Sequence, residues 1–165
     1  MAKLEAELNW TPKKLLYPIM KDYYEILRKK PSNRKKFLEE QSVLYDQSLI
    51  FYKLSFKKTL LYLGKTSSKI PIYDRVLNRF HDGLRKILLF YPSPKEVEIS
   101  CAIITRINEG NTDIILNGLE KTLINESKPE FNISAKKSYN NKFDEYSIHN
   151  IGDFSPLKAD YKWKK

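Results

Sequence analysis

Residues 49–64 read LIFYKLSFKKTLLYLG, and this stretch predicts a β-hairpin. Residues 49–56 are rich in β-branched and aromatic side chains, which is typical of a strand, and residues 60–63 repeat that composition. The short polar link Lys57-Lys58-Thr59 supplies a turn between them. Gly64 ends the second strand, so the sequence predicts two adjacent antiparallel strands here.

Three more elements are predicted after the hairpin. Apolar residues recur at helical spacing over residues 72–90, which also carry a basic face. Residues 97–107 form a near-continuous apolar run, typical of a strand at the buried centre of a sheet. A turn then precedes a helix over residues 113–125. Residues 48–133 therefore predict a ββαβα core of the α+β class, with a central three-stranded antiparallel sheet.

Both ends of the chain predict additions to this core. Thr11 and Pro12 have the residue types of a helix N-cap and first helical position, and apolar spacing predicts a helix over residues 12–29. Pro31 ends it, and a second short helix is predicted to run to about residue 40. We therefore expect residues 1–47 to be a helical N-terminal extension and residues 134–165 to be a polar C-terminal extension without an assigned element.

The composition is that of a folded and basic protein. The chain has 165 residues, 41% of them hydrophobic, which is enough for one domain with a sizeable core. Its net charge is +10, and residues 48–100 alone carry ten basic and four acidic side chains. Clustered cations suit a polyanion such as a nucleic-acid backbone, although the same charge can serve solubility alone.

Cysteine content and hydropathy indicate the cellular compartment. Cys101 is the single cysteine of the sequence, so it forms no internal disulfide, and its apolar surroundings predict a buried core residue. No apolar run approaches the ~20 residues of a membrane span, and Lys3, Glu5 and Glu7 interrupt any hydrophobic stretch near the N-terminus. We therefore expect a cytoplasmic protein that does not enter the membrane.

Glu120 lies on the apolar side of the predicted helix over residues 113–125. A carboxylate among core-facing positions is costly unless a cation or a hydrogen-bond donor meets it. Glu120 is therefore a candidate metal ligand. The simpler interpretation is an ion pair with Lys121 or Lys86.

The hairpin resembles that of the GIY-YIG nuclease family. In that family the first strand ends in Gly-Ile-Tyr and the second in Tyr-Ile-Gly, and this chain has Ile50-Phe51-Tyr52 and Tyr62-Leu63-Gly64 at those places. The two tyrosines stand ten residues apart, within the usual range of the family. Lys65-Thr66-Ser67 after the second motif is also similar to family sequences.

The resemblance continues through the two helices, so that it covers about residues 48–133. The segment from Arg75 to Phe80 is similar to the family's helix motif, in which a His or Tyr follows an Arg by four places. Glu120 followed by Pro129 and Asn132 resembles the metal-binding Glu of the family and the Pro and Asn beyond it. No single motif is specific, whereas their order along the chain is.

Two positions depart from the family pattern. Ile50 stands where the first motif has glycine, and Arg79 stands where the helix motif has His or Tyr. His81 is close by, but six residues from Arg75 it lies on a different face of a helix. Another register would make Arg79 the catalytic arginine, and we favour Arg75 because Val76 then falls on an apolar position.

The resemblance implies hydrolysis of DNA phosphodiester bonds with Mg²⁺, or alternatively Mn²⁺, as the single metal ion. It implies catalytic roles for Tyr52, Tyr62, Arg75 and Glu120, with Glu120 as the metal ligand. Phosphodiester hydrolysis needs an activated water and cations at the phosphate, and an arginine binds phosphate bidentately. Tyr52 could accept the proton of the attacking water if Lys65, Arg75 and the metal lower its pKa.

Two further sets of residues are expected around these four. The supporting residues are Lys65, Arg79, His81 and Asn132. The residues expected to contact double-stranded DNA are Lys57, Lys58, Lys65, Lys69, Arg79 and Lys86.

Several interpretations of the whole chain stay open. Strand tyrosines usually pack in a core, and arginines on a basic helix face are usually solvated. The first hypothesis is a small type II restriction endonuclease, because the additions at both ends are short, with a homodimer if the DNA site is palindromic. The alternatives are a catalytically impaired nucleic-acid-binding module with the same fold, a repair or homing nuclease, and a small basic protein that binds partners through its first helix.

Overall fold

The computed structural model describes residues 2–29, 46, 48–66, 72, 75–76, 86–87, 89, 91, 93–110, 112–132 and 143–165. Within this part of the chain the strands are β1 Lys3–Trp10, β2 Lys14–Leu15, β3 Phe51–Phe56, β4 Thr59–Lys65, β5 Glu98–Ile107, β6 Glu145–Gly152 and β7 Asp160–Lys164. The helices are α1 Leu16–Lys29 and α2 Asp113–Ser127, with a short 3₁₀ turn at Pro94–Glu96. The fold is thus of the α+β class, as the sequence predicts.

The described strands form one mixed sheet in the order β4-β3-β5-β1-β6-β7, with β2 paired beside β5. β1 and β6 run parallel, and all other neighbours run antiparallel. The predicted hairpin is confirmed, because β3 pairs with β4 and places Tyr52 opposite Gly64. The predicted three-stranded sheet is too small, since β4, β3 and β5 are extended by β1, β6 and β7.

Residues 3–10 correct the predicted helical N-terminal extension. They form β1, which lies between β5 and β6. The physical reason is an alternation of side chains, in which Leu4, Ala6, Leu8 and Trp10 are buried while the intervening residues face outward or are partly buried. A period of two favours a strand, and the polar residues between these four occupy its other face.

Helix α1 begins at Leu16, four residues later than predicted. Thr11 does not cap it, because Thr11 continues the sheet. Its N–H donates to the Cys101 carbonyl at 2.8 Å, and its Oγ1 accepts from the Cys101 N–H at 3.1 Å. The second helix predicted to reach residue 40 lies outside the described residues, as does most of the helix predicted over residues 72–90.

The C-terminal extension also carries strands, which the sequence analysis did not assign. β6 pairs with β1 over its whole length, and β7 pairs antiparallel with β6 at the sheet edge. Tyr146 and Ile148 alternate on the buried face of β6. Parallel pairing between residues so distant in sequence leaves little local signal, which is why the pattern was missed.

Helices pack on both faces of the sheet. On one face, Leu116, Leu119 and Leu123 of α2 are fully buried against residues such as Phe51 and Trp10. On the other face, α1 buries apolar side chains including Leu16 and Tyr23. The second face also contains Cys101, whose predicted burial is confirmed, together with Ile72, Val76 and Ile87. Neither described helix combines the length and apolar character that crossing a membrane requires.

Lys53 is a buried cation that the sequence analysis overlooked. Its side chain is fully buried, its Nζ donates to the Asp153 carbonyl at 2.8 Å, and it lies 4.9 Å from the centroid of the Trp10 ring. Burial lowers the pKa of Lys53 to about 8, and the neighbouring charge of Lys13 acts in the same direction. Lys53 alternates with Tyr52 along β3, so it lies on the face opposite the tyrosines.

Candidate active site

The two hairpin tyrosines lie side by side. Tyr52 on β3 and Tyr62 on β4 stack with ring centroids 6.0 Å apart and an interplanar angle of 27°. They are diagonal neighbours on one face of an antiparallel pair, a separation that aromatic side chains can span. Tyr52 is 1% exposed, whereas Tyr62 is partly exposed. A hydrogen bond between the two side chains joins them.

Gly64 makes room for the ring of Tyr52. A Cβ atom at position 64 would lie 2.6 Å from both Cζ and Oη of Tyr52. Such a distance is far inside van der Waals contact, so any other residue would displace the ring. The glycine is therefore required by the packing of the tyrosine that faces it, and not by an unusual backbone angle.

Arg75 and Glu120 approach the same tyrosines. Arg75 hydrogen-bonds to the side chain of Tyr52 and lies near Tyr62 as well. Glu120 on α2 is close enough to raise the pKa of both tyrosines, and its carboxylate accepts a hydrogen bond from the backbone N–H of Lys65. The four residues predicted as catalytic are thus brought together from β3, β4, α2 and the segment that contains Arg75.

The Nε of Arg75 is buried and has no hydrogen-bond partner within the described part of the chain. A buried donor without a partner costs about 1–3 kcal/mol, so native proteins rarely keep one without reason. The atom lies in a guanidinium group that also contacts Tyr52. An oxygen atom of a bound anion would supply the missing acceptor.

Burial dominates the protonation of the cluster. It raises the pKa of Glu120, against the opposing charges of Lys65, Arg75 and Lys121. It also raises the pKa of Tyr52 well above its ordinary value, and Tyr62 acts in the same direction, while Arg75 opposes the shift. Arg75 acts in the expected direction, but desolvation outweighs it in the protein alone. The expectation that Lys65, Arg75 and the metal together lower the pKa of Tyr52 stays a prediction.

Asn132 ties the end of α2 to the strand that carries Tyr62. Its Oδ1 accepts from the Leu63 N–H at 2.9 Å, and its Nδ2 donates to the Leu63 carbonyl at 2.7 Å. Just before it, the N–H groups of Glu130 and Phe131 donate to the carbonyls of Leu60 and Leu61. Residues 130–132 thus hydrogen-bond along the outer edge of β4 without forming a strand.

We expect Asn132→Ala to lower the free energy of unfolding by about 1–3 kcal/mol, because it leaves the N–H and carbonyl of Leu63 without partners in a buried place. Urea unfolding at constant m-value measures the change. Asn117→Ala, on the exposed face of α2, is the matched control and should be close to neutral. An equal effect of the two substitutions would show that the Asn132 bonds contribute nothing.

The remaining predicted residues are not shown to contact the cluster. Lys57 and Lys58 are exposed in the hairpin turn, at the opposite end of the hairpin from Tyr52 and Gly64. Lys86 is exposed. Lys69, Arg79 and His81 lie outside the described residues. Of the two candidate catalytic arginines, only Arg75 can therefore be located, and it lies in the cluster.

Within the described part of the chain, the cluster contains one carboxylate, Glu120. Among the described residues, no three His, Cys, Asp or Glu side chains lie close enough together to hold a metal ion. Mg²⁺ does not need such a group, because it keeps several waters and is commonly bound through one or two carboxylates together with substrate phosphates. The partly buried Glu120 fits this mode of binding, since a cation would offset the cost of its desolvation.

Comparison of the chain with protein-family models, curated proteins and solved structures finds no match. A functional assignment therefore depends on the geometry of the cluster formed by Tyr52, Tyr62, Lys65, Arg75 and Glu120.

Proposed function

We propose that the protein is a Mg²⁺-dependent DNA endonuclease of the GIY-YIG type, most similar in organisation to a small type II restriction enzyme. The observation that carries the proposal is the buried Nε of Arg75, which has no hydrogen-bond partner among the described residues and lies beside two tyrosines and a carboxylate. A phosphate group would accept from this Nε, and the net charge of +10 attracts a polyanion to the protein.

Each residue of the cluster has a role that suits phosphodiester hydrolysis. Arg75 binds a non-bridging oxygen of the scissile phosphate and stabilises the negative charge of the transition state. Glu120 would hold the metal ion, which would act as a Lewis acid at the phosphate. Lys65 orients Glu120 through its backbone N–H. Tyr62, partly exposed, is placed to hydrogen-bond to the attacking water or the phosphate.

Tyr52 holds its proton in the free protein, because burial raises its pKa. As a neutral phenol it donates a hydrogen bond, and it accepts the proton of water only when further positive charge enters the site. A metal ion held by Glu120 would supply that charge, whereas further loss of solvent on DNA binding would favour the protonated phenol. The role proposed for Tyr52 is therefore to position the water through the tyrosine pair, with proton transfer dependent on the loaded site.

A catalytically impaired nucleic-acid-binding module is the second candidate. The raised pKa of Tyr52 favours it, because a tyrosine that stays protonated is a poor general base. Ile50 supports it as well, since this buried residue replaces the first glycine of the motif. A repair or homing nuclease would share the site and differ in its DNA target.

Digestion of a supercoiled plasmid tests the two candidates. The purified chain is incubated with Mg²⁺, with Mn²⁺ or with EDTA, and gel-shift binding to the same DNA is measured in parallel. Discrete fragments that require the metal are expected for a restriction-type enzyme, and a smear would indicate a nuclease without sequence preference. Binding without cleavage under any metal would select the impaired module, and neither binding nor cleavage would overturn both.

A further inference from the structure

A second surface of the protein combines exposed aromatic rings with cations. On α1, Tyr17 and Tyr24 are 40% and 45% exposed, and Lys21 and Arg28 are also exposed. At 100° per residue these four side chains fall within about 60° of one another around the helix. They form an exposed stripe along one side of α1, about 120° around the helix from the residues that pack on the sheet.

The stripe borders a groove. A cavity of about 270 Å³ lies between α1 and the 3₁₀ turn and is lined by Tyr17, Met20, Lys21, Tyr24 and Pro94. Lys95, on the same turn, places its Nζ 5.5 Å from the centroid of the Tyr17 ring. The groove therefore has an apolar floor, two tyrosine rings in its walls and lysines at its rim.

Among the described residues, no carboxylate lines this groove. Asp22 and Glu25 are exposed, but they lie about 130° and 70° around the helix from the centre of the stripe. Glu25 nevertheless lies one turn from Lys21 and Arg28, so a ligand on the stripe meets three cations, Lys21, Arg28 and Lys95, and one flanking carboxylate from α1. This arrangement complements a ligand that has flat rings and repeated negative charges.

We propose that the α1 stripe and its groove bind an unpaired nucleic-acid strand. Bases stack on Tyr17 and Tyr24, and the flanking phosphates contact Lys21, Arg28 and Lys95. Duplex DNA would fit less well, because its base faces are stacked on one another and cannot reach the rings. The inference concerns a surface separate from the tyrosine–arginine–glutamate cluster and does not depend on cleavage there.

Fluorescence anisotropy with a labelled oligothymidylate of about 12 nucleotides tests the proposal, in EDTA so that cleavage plays no part. The full-length chain is compared on this oligonucleotide and on an abasic one of equal length. We expect the Tyr17→Ala/Tyr24→Ala variant to bind oligothymidylate about tenfold or more weakly, with little change on the abasic strand. Tyr17→Phe/Tyr24→Phe keeps the rings and should retain most of the affinity.

The salt dependence of binding tests the contribution of the charged residues. Lys21→Ala should reduce the slope of log Kd against log salt by about 0.7, the value for one phosphate contact on a single strand. Ile114→Ala and Lys162→Ala, exposed sites on other elements, are the matched controls for ring and charge removal. Thermal unfolding of each variant establishes that it is folded.

Three results would overturn the proposal. They are equal binding of the two oligonucleotides by the unaltered chain, an equal loss on both in the double tyrosine variant, and no measurable binding of either. Since no step of the assay requires cleavage, an inactive cluster at Glu120 would leave the outcome unchanged. Conversely, plasmid cleavage that survives loss of Tyr17 and Tyr24 would support the endonuclease proposal without this surface.

Discussion

Glu120→Gln is expected to lower Mg²⁺-dependent DNA cleavage by about 10³-fold while leaving DNA binding largely intact. A bound metal contributes several kcal/mol of charge stabilisation in the transition state, and an amide is a far weaker ligand than a carboxylate. The glutamine keeps the size of the side chain and can still accept the hydrogen bond from Lys65. Single-turnover cleavage of a plasmid and gel-shift binding measure the two quantities.

The same substitution should make the protein more stable at neutral pH. Burial raises the pKa of Glu120 in the folded state, so the folded state binds this proton more tightly than the unfolded state does. Stability therefore falls as the pH rises from the ordinary pKa of glutamate, about 4.3, through the folded value, and the loss persists above it. Glu120→Gln removes that loss, so we expect Tm to rise by about 2–4 °C at about pH 7.

The pH dependence of Tm shows whether the stabilisation by Glu120→Gln comes from the raised pKa of Glu120 or from a change unrelated to titration. Well below the ordinary pKa of glutamate the carboxyl group is protonated in both states, and the difference in Tm between Glu120→Gln and the unaltered chain should vanish. Mg²⁺ should raise the Tm of the unaltered chain and not that of the variant. A variant that cleaves DNA normally would remove Glu120 from the proposed mechanism, whatever its stability.

The hairpin and the central strand were predictable because their signals are local. β3, its turn and β4 follow one another in sequence, and the apolar run of β5 has the length of one strand. β1 was missed although its alternation is plain in retrospect, since Lys3, Glu5 and Glu7 suggested an interrupted apolar segment and not a two-faced strand. Its partner β6 begins at Glu145, and a pairing over that distance depends on the whole sheet.

The members of the cluster could be predicted, whereas their protonation could not. Tyr52 and Tyr62 meet because antiparallel pairing places them on one face, and Glu120 was identified as a carboxylate in an apolar environment. The pKa of Tyr52 is raised because other elements exclude water from its side chain. The degree of this exclusion cannot be predicted from the spacing of residues in the sequence. The role of Gly64 likewise became visible only with the tyrosine ring in place.

Gly64→Ala is expected to disrupt the candidate active site by displacing the ring of Tyr52. The new methyl group would lie 2.6 Å from the Tyr52 ring, which is stacked on Tyr62 and almost fully buried, so the ring must move. Adding a methyl group to a filled space costs about 1–3 kcal/mol of stability. A displacement of about 1 Å at a catalytic group can cost about 100-fold in rate, so cleavage should fall by at least that factor.

A double-mutant cycle on stability tests the contact even if the protein cleaves nothing. Tyr52→Ala removes the ring, so Gly64→Ala should cost little in that background, and the two substitutions should show a coupling energy of about 1 kcal/mol or more. Gly110→Ala is the matched control, because no described atom beyond its chain neighbours lies within 4 Å of the added methyl group. Additive effects at positions 52 and 64 would show that Gly64 is required for another reason than the ring. If the two substitutions are coupled in stability but Gly64→Ala cleaves DNA normally, Gly64 packs against the Tyr52 ring as described. The position of that ring is then not required for the proposed reaction.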